Sequence, residues 1–154
     1  MSGHAVALDT NLLILLVVGR ASTQYIRGHK RLSAYDTAAF IRLTDILSKA
    51  DALVLTPNIL SETSNLLGQS DDQKGRRITA TFRALIDLAV ERYATSRASA
   101  ARPEFAWLGL SDAASIEMLD DKTVLLTDDH PLYVAALNAG RSAEIFSPER
   151  LNAG

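Results

Sequence analysis

Residues 5–18 read AVALDTNLLILLVV: an apolar run, then Asp9-Thr10-Asn11, then a second apolar run from Leu12 to Val18. Apolar residues in succession, without alternation, suit a strand covered on both faces, as in a parallel sheet. Asp9, Thr10 and Asn11 are all good N-cap types, so the Leu-rich run after them reads as a helix, with Gly19 as its stop. The stretch is thus a buried strand that ends in a carboxylate and turns at once into a helix. Three later segments again set an acid beside an apolar element: Glu62 in TPNILSETSNLL, Asp112 in GLSDAASIEML and Asp128-Asp129 in TVLLTDDHPL.

Outward from this stretch, residues 20–35 are polar and basic and form a loop or irregular helix. Asp36 caps a helix to about residue 50, with Phe40, Leu43, Ile46 and Leu47 at three- and four-residue steps. Residues 52–55 make the second strand, and Thr56-Pro57 opens a helix that Gly68 ends. After a polar turn over 69–75, a long amphipathic helix is expected over 76–96, with Ile78, Phe82, Leu85, Ile86 and Ala89 on one face. Residues 98–103 are a small-residue break, and Ser111 caps a short helix over 112–119. The third strand is 123–127, a helix spans 131–138 and ends at Gly140, the fourth strand is 143–147, and 148–154 is a fraying tail. Short strands alternate with helices and no repeat is visible. This pattern predicts one α/β domain over 1–154, a three-layer α/β/α arrangement on a parallel sheet of four or five short strands.

Composition narrows the chemistry. At 154 residues, 47% hydrophobic and 22% charged, the chain suits one globular core rather than disorder. The absence of cysteine excludes a disulfide, a thiolate metal site and a Cys nucleophile, and fits a reducing cytoplasm. The first apolar run is broken by Asp9, follows no Lys or Arg and is too short for a bilayer, so a soluble protein with no membrane partner is expected. A net charge of −2 argues against a globally basic nucleic-acid binder. Yet no acid lies between Thr10 and Tyr35, where Arg20, Arg27, Lys30 and Arg31 stand. A basic loop beside an acidic site is one way to hold a phosphodiester; a solvated loop is the plainer alternative.

Two of the acids also have a plain structural explanation. Asp9 and Asp112 suit helix starts. Glu62 lies one turn from Ile59 and Leu66 and so borders an apolar stripe, where a cation or an Arg would have to compensate it. The pair Asp128-Asp129 exceeds what a turn needs. In an open parallel sheet the acids that follow strands share one rim. Several carboxylates at one rim, with no Cys and only His130 nearby, describe a hard-cation site for Mg²⁺ or Mn²⁺ and point to metal-assisted phosphodiester hydrolysis. Paired carboxylates also serve glycoside hydrolysis, but one Trp leaves little to stack sugars against.

The segments ALDTN (7–11), NILSETSNLL (58–67), LSDAASIEML (110–119) and VLLTDDHPLYVAALNAG (124–140) together resemble, in order and in strand context, the PIN-domain nucleases, which include toxin ribonucleases. The resemblance implies an acidic quartet of Asp9, Glu62, Asp112 and Asp129, with Asp9, Asp112 and Asp129 as metal ligands. It selects Asp129 over Asp128, and it makes Asn11 and Thr127 accessory positions, with Asp128 beside them. It further implies a divalent-metal-dependent endoribonuclease with an RNA substrate, an antitoxin protein as partner and a homodimer; the basic segment, read from its charge, would hold the RNA backbone with Arg20, Arg27, Lys30 and Arg31. Residues 20–35 are longer than in the smallest toxins of the family, and the segment after Asp112 is shorter and less apolar than usual. The alternative is a PIN-like domain without turnover that binds RNA or docks a protein. His4, His29, His130 and Trp107 are expected to be terminal, loop, turn and packing residues.

Overall fold

The computed structural model describes residues 4–147, so the expected tail lies outside the described residues. The elements are β1 (Ala5–Leu8), α1 (Thr10–Ala21), α2 (Tyr25–Gly28), a 3-10 turn (Lys30–Leu32), α3 (Thr37–Ser48), β2 (Ala52–Leu55), α4 (Pro57–Leu67), α5 (Gln73–Leu88), β3 (Val90–Glu91), α6 (Ser96–Ala100), α7 (Phe105–Leu108), α8 (Leu110–Met118), β4 (Thr123–Thr127), α9 (His130–Asn138) and β5 (Ser142–Ile145). The five strands form one sheet in the order β3-β2-β1-β4-β5, every pair parallel. The α/β/α layering follows from strands buried on both faces. Val6 and Leu8 join α1, α3 and α5 in one core, while Ala5 and Ala7 join α8 and α9 in the other. No described helix is long and apolar enough to cross a membrane.

β1 is the central strand, and its chain continues into α1, whose residues Leu12 to Val18 are 2% exposed or less. A helix that is apolar all round has to be buried all round. α1 achieves this by packing between the sheet and α3, α4 and α5. Gly19 does not stop the helix, which continues to Ala21. A Cβ at Gly19 would lie 2.2 Å from Cδ1 of Phe40, so the glycine lets α3 approach rather than ending α1.

The caps expected at Asp9, Asp36 and Thr56 are present; each side chain accepts from a backbone N–H three residues on. The later part of the chain departs from expectation. The long helix begins at Gln73 and ends at Leu88, because Val90 and Glu91 pair with Val54 and Leu55 as an edge strand. Residues 98–103 are not simply a break: α6, capped by Thr95, runs into them. Ser111 does not cap α8. The cap position is Gly109 at φ 86°, where a side chain would be strained, and Ser111 lies inside the first turn. The last strand sits one residue earlier than expected at its start and two earlier at its end.

Candidate functional site

The chain crosses from β1 to β2 on one side and later fills β4 on the other, so the crevice between β1 and β4 opens at their carboxyl ends. Leu8 pairs with Leu126, which sets Asp9 opposite Thr127 at that rim. The Thr127 hydroxyl donates to Asp9 Oδ2, while Leu12 N–H donates to Asp9 Oδ1 at 3.3 Å. Thr127 Oγ1 also accepts from the backbone N–H of Asp129 at 3.0 Å. One buried threonine therefore ties the ends of both strands together.

Asp9 is 6% exposed. Burial, then the carboxylates of Asp128 and Asp112, push it up to about 7, against the smaller opposing pull of its hydrogen bonds from Thr127 and Leu12. Asp112, in the first turn of α8, is pushed up to about 6 by burial first, then by Asp129 and Glu62. The structure thus brings Asp9, Asp112, Asp128, Asp129 and Glu62 within electrostatic range of one another.

The remaining acids are positioned by partners of their own. Glu62 stands exposed beside the buried Thr63 on α4, so it does not bear the burial cost its spacing implied. Its Oε1 accepts from the Thr10 hydroxyl at 2.5 Å. Asp129 caps α9 by accepting from Leu132 N–H at 3.1 Å. Asp128 accepts from the Tyr35 hydroxyl at 2.5 Å. The two adjacent acids therefore point to different work: Asp128 is the stronger neighbour of Asp9, and Asp129 that of Asp112. Burial and the bonded, charged Asp128 push the Tyr35 phenol well above its usual range, which keeps it a donor.

The basic segment divides. Asn11 Oδ1 accepts from Arg31 at 3.4 Å, which brings Arg31 beside the start of α1. Lys30 and Arg31 flank the half-buried His29, whose basicity falls through burial first, then through Lys74, Arg31 and Lys30. Lys74 also lies 5.1 Å from the centre of the Tyr25 ring. Arg27 is exposed on α2. Arg20 is not brought to the acids. It sits near the other end of α1, lining a groove with Asp51 and Ala52 at the amino end of β2. His130 is an exposed first residue of α9, and Trp107 is exposed rather than packed.

Sequence reading missed Thr10 and Tyr35. Thr10 carried a signal, since it follows a candidate ligand at the start of a helix; Tyr35 carried none. The donor set is all oxygen and crowded, which is the chemistry that suits a hard divalent cation. Among the described residues, no group of three or more His, Asp or Glu side chains is placed so that it could hold a metal ion. No family model, no characterised protein and no solved structure matches the chain.

Proposed function

We propose that the chain is a PIN-like endoribonuclease that depends on Mg²⁺ or Mn²⁺ and acts as the toxin of a toxin–antitoxin pair. The observation that carries the reading is Asp9, a buried carboxylate at the end of the central strand, crowded by Asp128 and Asp112. Burying such a charge is unfavourable unless a cation compensates it. Asp9, Asp112 and Asp129 would hold the metal, and Glu62 would complete the cluster. When bound, the ion supplies a water of lowered pKa and neutralises charge on the phosphate oxygens.

The chain's own groups prepare the rest. Thr127 fixes the orientation of Asp9. Thr10 holds one oxygen of the exposed Glu62, and the other is left to orient the attacking water and accept its proton. Lys30, Arg31 and Lys74 offer cations to the RNA backbone beside the acids. An antitoxin partner and a homodimer are supported by the PIN resemblance.

A metal titration with fluorescently labelled RNA tests the reading. Cleavage should appear with Mg²⁺ or Mn²⁺, stop with chelator and be lost in Asp9→Asn. A second reading, a non-catalytic RNA-binding or docking domain, draws on the internal hydrogen bonds that already engage Asp9, Glu62, Asp128 and Asp129. RNA that binds but stays intact at saturating metal would establish that second reading instead.

A further inference from the structure

The acidic site is flanked by surfaces of opposite character. On the side of α2, Lys30, Arg31 and Lys74 gather around His29. On the other side, a cleft of about 570 Å³ opens between α4, the loop after β3 and α8. No charged side chain is among the described residues that line it; Asn58, Ser61, Tyr93, Ser96 and Ser111 are. Ser61 and Ser111 stand one residue before Glu62 and Asp112, so the cleft is lined by the same turns of α4 and α8 that carry those two acids. Tyr93 is 73% exposed, an aromatic ring offered to solvent at the mouth. The Ser111 hydroxyl oxygen is buried and has no hydrogen-bond partner among the described residues, an arrangement that costs stability unless another group completes it.

A phosphate would find no cation here, and an apolar segment would meet hydroxyls and an amide. A nucleobase matches each feature: it is flat, uncharged and edged with donors and acceptors. We infer that this cleft is a base subsite, in which one base of single-stranded RNA, next to the phosphate at the acids, stacks on Tyr93 and meets Ser111 and Asn58 along its edge. The division of labour is then spatial, with backbone held at the cationic side and a base read at the neutral side. This inference rests on the ribonuclease reading.

The test is equilibrium binding of a short, fluorescein-labelled single-stranded RNA in chelator, where nothing is cleaved, with parallel RNAs carrying one abasic position. Tyr93→Ala should weaken binding by roughly 5- to 150-fold, the range for loss of one base–aromatic stack. Tyr93→Phe should bind like the parent chain. One abasic position should weaken the parent chain similarly and add little to Tyr93→Ala, the coupling expected of groups that touch. Because Tyr93 is exposed, its replacement leaves the fold intact, which circular dichroism verifies. If the parent chain binds RNA and Tyr93→Ala binds equally well, the subsite is wrong and the ribonuclease reading stands. An abasic penalty of the same size in both chains also overturns the subsite. If the parent chain binds no RNA in chelator and cleaves none with Mg²⁺ or Mn²⁺, both readings fall together.

Discussion

Replacing Asp9 by Asn removes a charge that the fold has buried at the end of its central strand. Asn caps helices about as well as Asp, so the bond from Leu12 N–H is retained in kind. Two things change: the bond from the Thr127 hydroxyl, which an amide nitrogen cannot accept, and ionisation. Asp9 rises from 3.8 in an open chain to about 7 in the fold. The folded state therefore holds a proton that the unfolded state releases, and stability falls as pH climbs between those two values. At about 1.4 kcal/mol per pH unit, ionising Asp9 costs the metal-free protein on the order of 4 kcal/mol by about pH 8, and little near about pH 4. This is a large share of the ~5–15 kcal/mol that holds a domain together. The assay is urea unfolding of the metal-free parent chain and Asp9→Asn across that range. The variant should gain stability over the parent as pH rises, and added Mg²⁺ should close the gap by stabilising the parent alone. A variant that is less stable than the parent at every pH would refute the reasoning and leave Asp9 as an ordinary cap.

Thr10→Val should lower cleavage by roughly 10- to 100-fold, the usual cost of removing a group that orients a site carboxylate; single-turnover cleavage measures it, and an unchanged rate would detach Thr10 from the chemistry. Neutralising Arg27, Lys30, Arg31 and Lys74 together should flatten the slope of log affinity against log salt while metal binding persists. The expected change is about 0.7 for each single-strand phosphate that the variant no longer neutralises. Binding isotherms at several salt concentrations read it, and an unchanged slope would place the RNA backbone elsewhere. Gly19→Ala should destabilise by about 1–3 kcal/mol in denaturant unfolding, because the new methyl must displace the Phe40 ring, although Ala is the better helix former. A gain in stability would show that α3 yields there at no cost.

The elements around the site were legible because their signals are local. The span of β1 at Ala5–Leu8, the span of β4 at Thr123–Thr127 and the caps at Asp9, Asp36 and Thr56 each depend on residues within one turn of one another. Apolar runs and cap chemistry act over that range, so the parallel α/β fold and the rim position of the acids follow from the residues alone. β3 escaped because Val90 and Glu91 are both exposed and carry no burial pattern; only the presence of β2 beside them makes a strand. Gly19 was misread for the same reason, since its meaning lies in the ring of Phe40 on another helix.

Within the site, acid residues could be located in the chain but their partners could not. Tyr35 meets Asp128 across 93 residues, and Thr10 meets Glu62 across 52. Such bonds depend on how helices and strands cross, and no local propensity encodes a crossing. The strand order decides the rest: placing β1 between β2 and β4 sets Asp9 opposite Thr127 and near Asp128. The packing of α8 sets Asp112 within reach of Asp129 and Glu62. Local sequence thus determined which residues end the strands in carboxylates. Only the tertiary structure, by desolvating some of those charges and crowding them against the others, decided that Asp9 and Asp112 are the ones held far from their ordinary ionisation.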